Sequence, residues 1–532
     1  MKGQAEAEFL DLRIQKNILK IKIRCCPCRI EYKGILLEYR KVKENEDESY
    51  LIPYETLDQQ KDWLIMAISV DLKQYYLRML YWDIRCAFLQ DGKLCTVTCH
   101  FSHGNQINKY KKIWIDRAYP TENSILFPCI AGNQSIALMH RQICPQDHLR
   151  FRLKEKAALV IYKLFHNHWD KKNLYLIFEK HCAMAQDNGY YFFRYCMEQI
   201  AEQDFDKNIY YVLTSDSPDW NSIQPYKNKV LKYLSLKHMI YLLAAKVLIS
   251  TETKGHAYVW RSMGSKIQSA SYQKKLIFLQ HGVTGFKKGN FHKGTSVGCD
   301  CFITTSSGEQ DIVREHLGYR PQEAPITGFA RWDVLEDQSE GHREILLMPT
   351  WRPWLDDVEH QVFARNEYCI KYQELLNHPK FNRMLQDHGV KLIFYLHPRL
   401  RNYLSEFRVN TNSVRLITFG EIPLNQLMME CNLLITDYSS IAWDIYYMNK
   451  PVIFYQFDLY EMEKNPGFYI DMKESLFGDR TETLEELLHL VDCSIQHDFR
   501  IKEKYAKMQK QYFTYMDKKN SERIWKEICH IR

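Results

Sequence analysis

Glycine and proline are scarce, at 21 and 16 of 532 residues. That excludes fibrous and low-complexity classes. No stretch approaches the roughly 18 uncharged apolar residues that a membrane span needs. The best run, Met239 to Ser250, is short and contains Lys246. The amino-terminal text MKGQAEAEFLDLR carries Glu6, Glu8 and Asp11 where a signal peptide needs an apolar core. A cytoplasmic protein is therefore expected, and its 16 cysteines read as reduced thiols. Excess charge is slight: 72 basic less 65 acidic residues leaves +7. That suits phosphate-bearing ligands or an anionic membrane surface. Nucleic acid is not expected, because it calls for a concentrated basic stripe.

Several signatures are missing too. The phosphate loop GxxxxGK followed by Ser or Thr does not occur, nor do HExxH and GxSxG, and no GxGxxG follows a strand-like run. These absences argue against P-loop kinases, zincins, α/β-hydrolases and dinucleotide oxidoreductases. No Asp-x-Asp stands at a strand end to hold a divalent ion. A transfer without metal or cofactor is the simpler expectation, run by positive side chains and helix dipoles.

What is present is ample apolar surface. Hydrophobic residues make up 45% and aromatics 14%, so the chain is not disordered. Its length suits about three domains, or two large ones. Cys25, Cys26 and Cys28 stand in CCPC, and Cys95, Cys99, His100 and His103 in CTVTCHFSH. A zinc site could be drawn from them. The second cluster lacks CxxC, and both lie in strand-like text, so buried thiols are the better reading.

Residues 1–165 read as a β-rich accessory module. NILKIKIRCCPCRIEYKGILLEYRKV, LCTVTCHFS and KKIWIDRAY alternate apolar and polar residues. Lys41 to Glu48 looks like an exposed charged loop. From about 170 the texture changes to short apolar runs alternating with helical stretches, the mark of parallel βαβ units. Helices are expected through LKYLSLKHMIYLLAAK and through the long stretch His360 to Gly389. The fold class is α/β: two Rossmann-like domains, 166–335 and 336–532, in which ligands meet the carboxyl ends of the strands.

At those ends, LIFLQHGVTGFKKG delivers His281 and Gly282, with Lys287 and Lys288 behind them. A histidine there suits a general base; the bland reading is a turn cap. LIFYLHPRL delivers His397 with Arg399, a bidentate phosphate ligand by type. ILLMPTWRP releases Thr350 and Arg352, where a salt bridge is the alternative. LLITDYSSIAWD runs into Thr436, Asp437, Ser439 and Ser440 at a helix start, with Asp444 one turn on. Those hydroxyls suit either N-capping or phosphate binding, and Asp444 suits a ribose diol.

These elements, with ITGFARWDVL, NKPVIFYQFDLYEM and NPGFYIDM in order, resemble the CDP-glycerol glycerophosphotransferase family of teichoic-acid primases and polymerases. The match covers about residues 172 to 490, with Glu179, Asp187 and Asn188 of LIFEKHCAMAQDNG falling in the family's first loop. The resemblance implies a GT-B-type arrangement. It implies transfer of glycerol phosphate from CDP-glycerol to a hydroxyl of a polymer or lipid-linked saccharide acceptor, with release of CMP. It makes His281 and His397 the catalytic pair. Arg352, Ser439 and Ser440 would hold the pyrophosphate and Asp444 the ribose. Thr350, Arg399, Thr436 and Asp437 would lie on the donor side. Gly282, Lys287 and Lys288 would meet acceptor or phosphate.

The family's WHGTP is QHGVTG here, GYPRND is GFARWD, and FESFxGKxYSDNP is FEKHCAMAQDNG. CDP-ribitol is an alternative donor, and a nucleotide-sugar glycosyltransferase or an anionic-polymer binding module are alternative readings. The basic, aromatic KEKYAKMQKQYFTYMDKK suggests peripheral contact with the inner face of a membrane.

Overall fold

A computed structural model of the chain describes residues 5–40, 48–101, 118–130, 135–200, 208–259, 265–355, 358–464 and 467–530. Two compact units form: Met1–Lys156 with Arg261–Ser269, and Ala157–Trp260 with Ala270–Arg532.

The first unit carries one eleven-stranded sheet. Its strands are β1 (Glu6–Gln15), β2 (Ile18–Cys26), β3 (Glu31–Tyr39), β4 (Ser49–Ile52), β5 (Glu55–Gln59) and β6 (Leu64–Asp71). They continue as β7 (Leu80–Gln90), β8 (Lys93–His100), β9 (Tyr119–Pro120), β10 (Ser124–Ile130) and β11 (Ile136–Gln142). Alternation sets the faces: Leu19, Ile21, Ile23 and Cys25 of β2 are buried while Lys20 and Lys22 are exposed. The acidic amino-terminal text is itself a strand, because Phe9, Leu12 and Ile14 of β1 enter the same core. Cys25 Sγ faces Cys86 Sγ at 3.5 Å, and Cys28 donates to the Lys61 carbonyl at 3.1 Å. Among the described residues no three metal-ligating groups converge at CCPC or CTVTCH. His103, residues 41–47 and most of KKIWIDRAY lie outside the described residues.

The second unit carries two six-stranded parallel sheets. One comprises β12 (Leu174–Phe178), β13 (Asn208–Leu213), β14 (Val230–Lys232), β15 (Val247–Ser250), β16 (Lys275–Phe278) and β17 (Cys301–Phe302). The other comprises β18 (Glu344–Leu347), β19 (Lys391–Tyr395), β20 (Val414–Ile417), β21 (Leu433–Thr436), β22 (Val452–Tyr455) and β23 (Asp479–Thr481). Their orders, β14-β13-β12-β15-β16-β17 and β20-β19-β18-β21-β22-β23, are the same doubly wound 3-2-1-4-5-6 pattern. Strands such as β12, β15 and β21 are buried along their whole length, because helices cover both faces.

Two expected helices are shorter than expected. In LKYLSLKHMIYLLAAK, Leu231 and Lys232 belong to β14, and the helix is Leu236–Ala244, capped by Ser235 accepting from the His238 amide at 3.1 Å. The stretch after His360 breaks into His360–Ala364, Glu367–Asn377 and Pro379–Asp387, because Asn366 caps a new start and Pro379 cannot continue a helix. Among the described residues no helix is long and apolar enough to cross a membrane.

The carboxyl-terminal helices Glu503–Tyr512 and Asn520–His530 pack inward. Tyr505 and Phe513 are buried, Tyr505 donates to Asp479 at 3.1 Å, and Tyr512 donates to the Ser475 carbonyl at 2.8 Å. In KEKYAKMQKQYFTYMDKK, Tyr505 and Phe513 thus face the core while the lysines stay exposed.

Candidate active site

The first half of the site is built at three adjacent strand exits. Phe178 of β12, Ser250 of β15 and Phe278 of β16 lie in register. Lys180, Glu252 and the Gln280-His281 pair therefore leave the sheet side by side. His281 is exposed, and its Nδ1 faces the Thr251 carbonyl at 3.4 Å. A carbonyl only accepts, so Nδ1 carries the proton in that contact and Nε2 keeps its lone pair.

The turn that presents His281 is held from below. Gln280 has φ +57°, a left-handed conformation uncommon for a side-chain-bearing residue. Its amide donates to the Ile303 carbonyl and, at 2.9 Å, to Glu309; its oxygen accepts from the Thr284 hydroxyl at 2.6 Å. Glu309 is buried and also accepts from the Thr284 and Thr305 amides, each at 2.6 Å. Burial raises its pKa against those hydrogen bonds. Asn188 donates to the Leu279 and Gln280 carbonyls at 3.2 and 2.9 Å.

The same turn seats on the second half. A Cβ on Gly282 would lie 2.2 Å from Ser440 Oγ, and one on Gly285 would lie 2.7 Å from the Trp443 ring. Only glycine permits so close an approach. Phe286 then packs on Trp443, with ring centroids 5.2 Å apart. The Tyr469 amide donates to the Phe286 carbonyl at 2.8 Å, and the Lys288 amide to the Gly467 carbonyl at 3.0 Å. Lys287, half-buried, is delivered beside the second sheet; the Lys288 side chain stays exposed. Burial pulls the Lys287 ammonium down to about 8, with Asp437 opposing and Arg352 and Arg399 adding to the shift.

In the second sheet His397 follows β19. Its Nδ1 accepts from the Arg399 amide at 3.2 Å, which leaves the proton on Nε2. The two histidines thus stand in opposite tautomers. Burial, and then the charges of Lys287, Lys180, Arg399 and His281, hold His397 down at about 3, so it is neutral near pH 7. The Arg399 guanidinium lies 4.3 Å over the Trp351 ring.

Five of the donor-side residues are buried: Thr350, Arg352, Thr436, Asp437 and Asp444. Arg352 has no exposed surface: it donates to Asp458 at 2.5 and 2.9 Å, to the Thr350 carbonyl at 2.8 Å, and pairs with Asp437 at 2.8 Å. Asp437, equally buried, accepts from the Thr350 amide at 2.8 Å, and Thr436 donates to the Met348 carbonyl at 2.7 Å. Thr350, Arg352, Thr436 and Asp437 therefore form the frame under the two loops, Thr350 through its backbone and the other three through their side chains. Asp444 is buried and holds Arg331 through both oxygens, at 2.8 and 2.9 Å, and the Trp332 indole at 2.7 Å. Three of its roughly four lone-pair sites are taken by these two residues. Ser439 and Ser440 are half-buried, and Ser440 makes no side-chain cap hydrogen bond, so its hydroxyl is not used in capping.

Sequence reasoning passed over Lys180, Glu252, Glu309 and Arg331. Arg331 also donates to Asp187 at 2.8 Å, and its amide donates to Asn188 at 3.0 Å. It thereby joins the first loop to the second half; its retention in GFARWD was the available signal. Burial raises the Glu252 carboxyl, with His281 and Lys180 opposing. Its contact in the first half is His256 at 3.6 Å.

The family described as CDP-glycerol:poly(glycerophosphate) glycerophosphotransferase matches residues 160–530. The minor teichoic acid biosynthesis protein GgaB of Bacillus subtilis (strain 168) is 29% identical over 383 residues, which is 68% of this chain and 40% of that protein. The teichoic acid ribitol-phosphate polymerase TarK of Staphylococcus aureus (strain NCTC 8325 / PS 47) is 26% identical over 240 residues, 42% of this chain and 44% of that one. The chain thus spans less than half the length of these relatives. A solved structure of the wall teichoic acid polymerase TagF is 17% identical, covers 72% of this chain and 97% of its own, and has a TM-score of 0.49. The stretch matched by the family, 160–530, holds both parallel sheets and both histidine turns, and this chain belongs to the CDP-glycerol:poly(glycerophosphate) glycerophosphotransferase family.

Proposed function

We propose that the protein transfers glycerol phosphate from CDP-glycerol to a hydroxyl at the end of a teichoic-acid-like or capsular polymer and releases CMP. The reading rests on one observation above the rest: His281 and His397, at strand exits of the two sheets, stand in opposite tautomers.

His281 Nε2 takes the proton of the attacking hydroxyl. The hydroxyl oxygen bonds to the phosphorus that carries glycerol. The bond from that phosphorus to the bridging oxygen breaks, and CMP leaves with the electron pair. His397 Nε2–H donates to the phosphate oxygens as charge grows on them, without needing to be charged itself. Lys287 and Arg399 offset the diphosphate charge, and the hydroxyls of Ser439 and Ser440 donate beside them. A general base contributes about 10²–10⁴-fold.

CDP-ribitol is the second reading for the donor. It is favoured by the relative TarK, a ribitol-phosphate polymerase, which matches over 240 residues. We place the acceptor end at the inner face of a membrane. The experiment is CMP release by the full chain offered CDP-glycerol or CDP-ribitol with a crude lipid-linked acceptor fraction. Release with one donor, lost in His281→Ala, supports the reading and selects the alditol. Release that survives His281→Ala overturns the assigned base.

A further inference from the structure

We infer that Glu252 sets acceptor specificity: its carboxylate accepts from a hydroxyl next to the attacking one, so the acceptor must end in a pair of adjacent hydroxyls. This assignment rests on the transferase reading above.

The sheet places Glu252 beside the base. Phe178, Ser250 and Phe278 are in register, so Glu252 stands level with Lys180 on one side and Gln280 on the other. Neighbouring strands lie about 4.8 Å apart. The residue before it, Thr251, supplies the carbonyl that His281 Nδ1 faces at 3.4 Å. His281 and Lys180 are also the leading charges that act on Glu252, ahead of Asp187 and Arg399.

Its hydrogen bonding is incomplete. The Glu252 side chain is only 17% exposed, yet among the described residues no donor is hydrogen-bonded to its carboxylate. Its own amide donates to Ser250 Oγ at 2.9 Å, which fixes the backbone alone. His256 Nδ1 accepts from the His181 amide at 3.2 Å, so the His256 proton lies on Nε2, and that atom stops 3.6 Å from Glu252. Burial holds His256 down at about 3, so it brings no charge near pH 7. The other buried glutamates of this half differ. Glu179 accepts from the Gln186, Asp187 and Tyr190 amides at 3.1, 3.0 and 2.8 Å, and Glu309 accepts from the Thr284 and Thr305 amides. Buried acceptors are nearly always hydrogen-bonded. A largely buried carboxylate without donors, in the row of the catalytic base, is completed by donors that a substrate brings.

Charge selects the part of the substrate. Lys180, Lys287 and Arg399 are cationic and suit phosphate, which a carboxylate repels. Glu252 therefore meets an uncharged, hydroxyl-bearing end. That end is the acceptor's, because the groups assigned to the donor diphosphate belong to the second sheet or lie beside it, whereas Glu252 leaves the first. When one hydroxyl lies on His281 Nε2, an adjacent hydroxyl is the donor that Glu252 lacks.

The test measures CMP release by the full chain with the crude lipid-linked acceptor fraction. Glu252→Ala should raise the acceptor concentration for half-maximal release by roughly tenfold or more, as loss of a hydrogen bond to a charged group does. Glu252→Gln, which keeps one acceptor oxygen and loses the charge, should fall between. Donor KM should stay unchanged in both. The melting temperature should hold or rise, because no hydrogen bond within the fold is lost. Glycerol, which carries adjacent hydroxyls, should compete with the acceptor better than trimethylene glycol, which lacks the middle one; in Glu252→Ala the two should compete alike. Unchanged half-saturation, a shift in donor KM instead, or equal competition by the two alcohols in wild type overturns the assignment, while CMP release by wild type still supports the transferase reading. Absence of release by wild type with either donor removes that reading, and the assignment with it.

Discussion

Gly282 of one Rossmann-like half lies directly on Ser440 of the other, so close that a methyl group on Gly282 would stand 2.2 Å from Ser440 Oγ. The turn that carries His281 is thus shaped by the loop after β21. A Gly282→Ala change should destabilise by about 1–3 kcal/mol through overpacking and should lower CMP release by displacing His281. Adding Ser440→Gly should restore the melting temperature. An alanine variant that melts and turns over like wild type would show that the two loops do not touch.

His281→Ala should lower kcat by about 10²–10⁴-fold and leave donor affinity nearly unchanged, since Nε2 serves the acceptor hydroxyl. His397→Ala should lower kcat and weaken donor binding together. Donor titration calorimetry alongside initial rates separates the two; the reverse pattern would exchange the roles.

Asp444→Asn should act on stability first. It leaves Arg331 buried beside a neutral amide, and breaking a buried pair costs about 3–5 kcal/mol. Chemical denaturation should show the loss, while the donor dissociation constant of the folded fraction stays near wild type. A stable variant with weakened donor binding would return Asp444 to the ribose.

Lys287 should set the alkaline limb of donor binding. With its ammonium held down to about 8, the charge is present below that pH and lost above it. Donor KM should therefore climb as pH passes about 8. Lys287→Arg should push that climb upward, because arginine remains charged. An unchanged limb in the arginine variant would assign it to another group.

Acid should destabilise the fold through its neutral histidines. Burial holds His238, His256 and His397 down at about 3, from an ordinary 6.5. Between those values the unfolded chain binds protons that the folded chain does not, so stability falls as pH drops from 6.5 towards 3. The difference in unfolding free energy between wild type and His238→Gln should narrow across that window. A difference constant with pH would mean that His238 titrates alike in both states.

Much of the fold was legible because the strands of the second unit are short, wholly apolar runs. Those of the first unit alternate with period two, so that both sheet types leave a periodic trace. The helix break at Pro379 and the strand at Leu231 were less legible, since apolar spacing alone does not separate a three-residue strand from the first turn of a helix. The order of the motifs along the chain was enough to place His281, His397, Ser439 and Ser440 just past strand ends. It was not enough to tell ligand-facing groups from supports. Arg352 and Asp444 carry the right chemistry at the right strand ends, yet buried partners more than 80 residues away, or 113 in the case of Arg331, take up their polar atoms.

The two parallel sheets and the residues that leave their carboxyl ends could be read from one dimension, because backbone periodicity and strand-end chemistry are local properties. Which ends meet, which charges are already spent on one another, and which histidine nitrogen keeps its proton emerge in three dimensions. Those depend on partners distant in sequence: Thr251 for His281, Ser440 for Gly282, and Arg331 for Asp444. A buried polar group must find its hydrogen bonds wherever the fold brings them, and one-dimensional order carries no record of that.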